Sequence, residues 1–311
     1  MKKVYISYIV IGMKRSIMLL GGKTLVISLP ARWAKDNNLR KGQEVDIHNN
    51  DGLLYISPNT LRDFSSLDID IRDKKNKSLI LKMIFSAYIR GYDEINVRFK
   101  NKEQLDLIYS MAYTLIGFAT MRQDKNVITL KDLSEINLDE FDNVYPKIYL
   151  MLKEVIKEGI DALELGDFEK LGNFSQRDFT INQYVNFCLR SILKSNVMGS
   201  NKRIFYYSKL TNLEQLGDAF INFFEFVAKE RIFLDKNEKQ CFKKIRDRIN
   251  ELGKVIYKPN VDNITKLFEE TKEIVYFASE IQNPAIRINI IWLCTSLNNL
   301  LESALPGCFE A

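Results

Sequence analysis

The sequence predicts an α+β protein that is mainly α, and three observations carry that prediction. Residues 14–58 alternate apolar and polar positions between a Gly-Gly and an Asn-Asp-Gly turn, the pattern of short strands and hairpins. Residues 145–304 keep a helical period nearly throughout. Between them, residues 75–144 mix both patterns in a small α/β segment, after a polar stretch at 59–74. The expected domains are therefore 13–58, a linker or loosely attached strand at 59–74, the α/β segment at 75–144, and two helical halves at 145–232 and 233–305.

Composition narrows the class. The chain has 311 residues, 46% hydrophobic and 27% charged, with only 14 Gly and 6 Pro. These values exclude a disordered, collagen-like or disulfide-rich secreted protein. The apolar stretch Val4–Gly12 is about half as long as a bilayer-spanning helix needs, and no small-residue cleavage site follows it. A cytoplasmic chain without a membrane span is expected. Cys188, Cys241, Cys294 and Cys308 lie scattered in helical patterns with no CxxC pair, and read as reduced thiols. The one histidine, His48, sits in the polar run IHNNDG and reads as exposed. No nucleophile and base stand at a spacing that would support catalysis, so an enzyme is not expected.

In chain order, residues 1–12 do not fit the pattern that follows, and Met13 opens KRSIMLLGG as the expected natural start. Gly21 and Gly22 supply a turn needing positive φ. With a single following Lys, they fall short of a phosphate-binding loop, which requires GxxxxGK[ST]. TLVISLP is a strand stopped by Pro30, ARWAKDNNL one or two helical turns, and EVDIH and LLYIS two strands flanking Asn50-Asp51-Gly52. Four short strands and a short helix bury too little apolar surface to stand alone. This head is expected to dimerise, with Trp33 anchored in the shared core.

The charge is confined to the same segment. Residues 1–58 carry nine basic side chains (Lys2, Lys3, Lys14, Arg15, Lys23, Arg32, Lys35, Arg40, Lys41) and four acidic ones (Asp36, Glu44, Asp46, Asp51), a surplus of five. That equals the whole formal excess of the chain, because the other 36 basic and 36 acidic residues cancel. A search for a polyanionic partner therefore starts here.

Beyond the polar stretch, LILKMIFSAYIRGY predicts a helix ended by Gly91, EINVRF a strand, and KEQLDLIYSMAYTLIG a helix with Asn101 and Gln104 as a capping box. FATMRQDKNVITL predicts a strand pair about Asp124-Lys125-Asn126. Six helices follow near 146–166, 175–197, 201–229, 235–256, 261–281 and 284–304. Gly166-Asp167, Met198-Gly199 and Lys258-Pro259-Asn260 supply breaks. They divide as three plus three, a helix bundle with internal duplication. Phe220, Phe223, Phe224 and Phe226 read as core or interhelical contacts, and KKIRDRINELGK at 243–254 as a wet helix face.

Two resemblances rest on these residues. LGGKTLVISLPARWAKDNNLRKGQEVDIHNNDGLLYISP resembles the SpoVT/AbrB swapped-hairpin DNA-binding domain in its basic start, Gly-Gly turn, Leu-Pro strand end, Trp-containing turn and Lys-Gly-x-Glu-Val run. In that family two chains exchange hairpins to complete a small β-barrel. EVIKEGIDALELGDFEKL, RDFTINQYVNFCLRSIL and YYSKLTNLEQLGDAF resemble PhoU-like helical domains, regulators of phosphate transport built from two three-helix repeats. The second repeat matches more weakly than the first. Together the chain resembles archaeal AbrB/PhoU fusion proteins, labelled phosphate uptake regulators.

The candidate sites follow. In the head, Lys14, Arg15, Lys23, Arg32, Arg40 and Lys41 are expected to meet DNA phosphates, with Arg15 and Arg32 reaching base edges. In the bundle, Asp178 and Asn182 are four apart, as are Glu214 and Asp218, so each pair projects from one helix face. If the two helices are neighbours, the four side chains can hold a divalent or trivalent metal ion, as the PhoU resemblance implies. Asn182 is a neutral ligand where the family places a charge. Ser175 with Asp178 and Thr211 with Glu214 also read as capping boxes, a structural role for the same acids. The function expected is a homodimeric transcriptional regulator linked to phosphate uptake, with a helical sensing or docking part. The alternative is a protein-interaction regulator of a phosphate transporter or signalling protein, or an antitoxin-like partner.

Overall fold

The computed structural model describes residues 13–50, 53–58, 64–134, 138–194 and 198–309. Residues 1–12, which the expected start at Met13 concerns, the Asp51-Gly52 turn and the His48 side chain lie outside the described set. The chain divides into two compact units, one ending at Asp63 and one beginning at Phe64.

In the first unit, β1 (Met18–Leu20) pairs antiparallel with β2 (Thr24–Val26) across Gly21 and Gly22, whose φ angles are 60° and 74°. Both glycines hold the left-handed backbone that an L side chain resists. Helix α1 (Ala31–Asp36) starts directly after Pro30, and β3 (Val45–Asn50) pairs with β4 (Leu53–Pro58). All four strands and the helix lie where the sequence placed them. They form two separate two-stranded sheets, and α1 buries no residue.

The second unit opens with a four-stranded sheet ordered β5-β6-β8-β7, from β5 (Ser66–Asp70), β6 (Glu94–Arg98), β7 (Phe118–Asp124) and β8 (Val127–Asp132). Within the stretch read as a linker or a loosely attached strand, residues 66–70 form β5. Leu67, Ile69 and Ile71 alternate with Asp68, Asp70 and Arg72, so the acidic composition belongs to the solvent side of a strand parallel to β6. Helices α2 (Lys77–Arg90) and α3 (Lys102–Ala112) pack Ile80, Ile84, Tyr88, Ile108 and Met111 on Ile95, Val97, Ile128 and Leu130. Asn101 caps α3 as expected, accepting from the Gln104 N–H at 2.9 Å. The Gln104 carbonyl reaches Lys100 instead of closing the reciprocal bond, and its amide holds Ile71 and Lys74 carbonyls.

Six long helices follow: α4 (Leu138–Leu165), α6 (Ser175–Lys194), α7 (Ser200–Glu230), α8 (Lys236–Tyr257), α9 (Val261–Ala278) and α10 (Pro284–Ala304), with the short α5 (Phe168–Leu171) between α4 and α6. Helix α4 begins eight residues before the expected start. Pro146 reads as a first-turn residue, yet it stands inside the helix, where its carbonyl accepts from the Tyr257 hydroxyl at 2.8 Å. Contacts run among α4, α6 and α7, among α8, α9 and α10, and between α7 and α10. Phe220, Phe223 and Phe224 are buried in this core, with Phe226 packed on its edge. Cys188, Cys241 and Cys294 are buried free thiols, and Cys308 is a half-buried one.

A buried ionic cluster joins the bundle to the sheet. Arg190 and Lys194, one turn apart on α6, both bind Asp132 at the end of β8, and Lys194 also binds Asp93. Arg190 donates further to the carbonyls of Tyr88 and Tyr92 and stacks between the Tyr88 and Phe118 rings. Among the described residues, no helix is long and apolar enough to cross a membrane.

Candidate nucleic-acid interface and acidic cavity

The head presents its cations to solvent. Lys14, Arg15, Lys23, Arg32, Arg40 and Lys41 are all exposed. Arg32 makes a helical i,i+4 ion pair with Asp36 at 3.7 Å, its side chain 89% exposed. Such a pair contributes little and is readily exchanged for a phosphate. Among the described residues the Arg15 guanidinium donates to the Met13 sulfur, 3.2 Å away. The apolar residues of the same strands are uncovered as well, Ile17, Met18, Leu19, Leu20, Leu25, Ile27, Ile47 and Leu54 among them. Trp33 is half-buried.

In the second unit, α6 and α7 are packed neighbours, and the four predicted side chains meet between them. Asn182 donates to Asp178 at 3.1 Å and also bonds Asp218. Burial raises all three acids. Asp178 is pushed up to about 6 by desolvation and then by the charges of Asp218 and Glu225. Glu214 is pushed up to about 7 by desolvation and then by Asp218 and Asp178, against a lowering by Lys82. Asp218 is raised by desolvation, partly offset by Asn182 and Lys82.

Both capping boxes are overturned. Thr211 lies deep inside α7, where its hydroxyl donates to the carbonyls of Tyr207 and Ser208. The Asp178 N–H bonds the Phe174 carbonyl, while one Asp178 oxygen takes Asn182 and the other has no partner. The side-chain oxygen of Asn182 is likewise buried without a partner.

Asp178, Asn182 and Glu214 border a cavity of about 710 Å³ enclosed by α2, α3, α6 and α7. Its other polar groups include Lys82, Asn186 and several hydroxyls, and its apolar wall includes Phe85, Met111 and Phe179.

Residues 18–63 match a family model described as Antidote-toxin recognition MazE, bacterial antitoxin. This match overlaps the segment that carries the SpoVT/AbrB resemblance, and it makes the amino-terminal unit similar to a domain of antidote or DNA-binding type. Neither a curated protein nor a solved structure matches the chain. The PhoU-like and phosphate-uptake expectations therefore rest on the sequence resemblance of the helical unit.

As a metal site the cluster fits poorly. Its two partnerless oxygens and raised acids favour a positive charge, but among the described residues no three or more His, Cys, Asp or Glu side chains are placed to hold one ion. The sequence reading missed Asn186, Lys82 and Glu225, which come to the cluster from other turns or from α2. Asn186 lies two turns beyond Asp178 on α6, a spacing that places it on the same face. Lys82 carries no local signal, because only the packing of α2 on α6 brings it there.

Proposed function

We propose that the chain is a cytoplasmic, homodimeric DNA-binding regulator, with the head pairing and binding and the helical unit sensing or docking. The observation that carries this is the head itself, in which an antidote-type strand, helix and hairpin segment exposes both a confined surplus of positive charge and its own apolar side chains. A second copy supplies the missing apolar cover, and the paired heads offer Lys14, Arg15, Lys23, Arg32, Arg40 and Lys41 to a duplex. Phosphate uptake is the process to which the helical resemblance points. A ligand in the helical unit alters DNA binding only if it prefers one arrangement of the dimer.

The matching model's description favours a second reading, in which the head is an antidote that grips a toxin protein and DNA binding is secondary. One experiment separates them: genomic fragments captured by the purified protein are sequenced across a salt series. Discrete promoters retained at moderate salt support the regulator, whereas weak, uniform, salt-erased binding favours the protein partner.

A further inference from the structure

We propose that the cavity between α2, α3, α6 and α7 binds a small primary amine, its ammonium group held by Asp178 and Glu214 and its apolar body lying against Phe85, Met111 and Phe179. The site does not depend on what the head binds.

Four observations support it. The volume, about 710 Å³, is that of a small-molecule pocket, with a mostly apolar wall and a few converging polar groups. The polar end is acceptor-rich: Asp178 and Asn182 border it, and each has a buried oxygen with no hydrogen-bond donor among the described residues. Leaving such an acceptor unpaired is destabilising, which favours a guest that brings N–H donors to this end. The side chain of Asn186, a residue only 8% exposed that borders the same cavity, makes no hydrogen bond among the described residues, so its amide is free to meet a ligand. Finally, the acids Asp178, Glu214, Asp218 and Glu225 act on one another here, and Lys82 offsets only part of their charge on Glu214 and Asp218, so the local field favours a positive guest.

The chemistry selects an ammonium over the alternatives. An anion would meet two carboxylates and a single exposed lysine. A bare metal ion needs several charged oxygens on one centre, and among the described residues no group of three or more His, Cys, Asp or Glu side chains is placed to hold one. An ammonium group needs only three acceptors in a loose arrangement, and the attached hydrocarbon uses the apolar wall.

The test is isothermal titration of the full-length protein at pH 8 with phenethylamine and hexylamine, each against its neutral partner, 2-phenylethanol or 1-hexanol, and with MnCl2 alone. The expected result is saturable one-to-one binding of at least one amine, with at least tenfold weaker binding of the matching alcohol. Glu214→Gln and, separately, Asn186→Ala are expected to weaken that amine at least tenfold and threefold, with circular dichroism confirming the fold. The alcohol comparison needs no variant and stands even if both substitutions unfold the protein. Equal binding of amine and alcohol, saturable binding of manganese alone, or no saturable binding of either amine overturns the proposal. Failure to bind DNA leaves these outcomes untouched.

Discussion

Arg190 and Asp132 meet at 2.6 Å with both side chains almost wholly removed from solvent, tying the sixth helix to the last strand of the sheet. The sharing of Asp132 with Lys194, also at 2.6 Å, makes this carboxylate the centre of the seam. Asp132→Asn leaves two buried cations undercompensated. We expect a loss of about 3–5 kcal/mol in unfolding free energy, measured by urea titration, since breaking one partner of a buried pair is costly.

The same seam sets an acid limit. Burial would raise Asp132, but hydrogen bonds from Lys194, Arg190 and Ser134 overcome it and hold the carboxylate below its ordinary value. A depressed folded-state pKa gives stability that is present above the unfolded value, about 4, and is lost as pH falls through the folded one. Unfolding free energy is expected to drop below pH 4 in the native protein, and to drop less steeply in Asp132→Asn.

The acids of the cavity act with the opposite sign. Glu214 and Asp178 are raised to about 7 and about 6, so over that range the folded state binds more protons than the unfolded one. Their contribution falls as pH rises from 5 to 8. Glu214→Gln should be more stable than the native protein at pH 8 and should flatten that part of the pH profile, as read from urea midpoints at several pH values.

Uncovered apolar strands make the head the expected pairing surface. Leu25→Asp combined with Leu54→Asp should move the mass in sedimentation velocity from two copies to one, while helical circular dichroism persists. Unchanged mass would place the contact elsewhere.

Of the described glycines, Gly159 on α4 leaves the least room for a side chain, because a Cβ there would run into the Phe224 ring. Since Phe224 is fully buried against Phe174, Phe220 and Phe223, the ring has little room to yield. Gly159→Ala should cost about 1–3 kcal/mol by overpacking, despite its better helix propensity. A thermal melt with no decrease would show that the ring yields.

Local signals account for what the sequence disclosed. Gly-Gly, Leu-Pro and period-two alternation act over a few residues, so the strands of the head and the helix borders at Gly91, Asp235 and Pro284 were readable. Asp178, Asn182, Glu214 and Asp218 were singled out by the PhoU resemblance, and their i,i+4 spacing was enough to put each pair on one helix face, because helices repeat their faces regularly. Strand β5 was legible only as one of two readings, linker or loosely attached strand, because its Asp-rich composition competes with its alternation, and its pairing with β6 has no local mark. The Arg190 seam was hidden for another reason: its partners lie 58 and about 100 residues away, and nothing in a helical period tells a buried arginine from a solvated one. Lys82 was missed for the same want of a local mark.

Helix α6 carries Asp178, Asn182 and Asn186 toward one end and Arg190 and Lys194 toward the other, along a rod of about 30 Å. Pinned at the seam by bonds to Asp132, Asp93 and two backbone carbonyls, this wall of the cavity is held in place before any guest arrives. A molecule entering there spends little free energy on ordering its host, and it must match the spacing of the fixed acceptors. Preorganisation of that kind turns a stabilising salt bridge into a source of selectivity at a distance from the groups that form it.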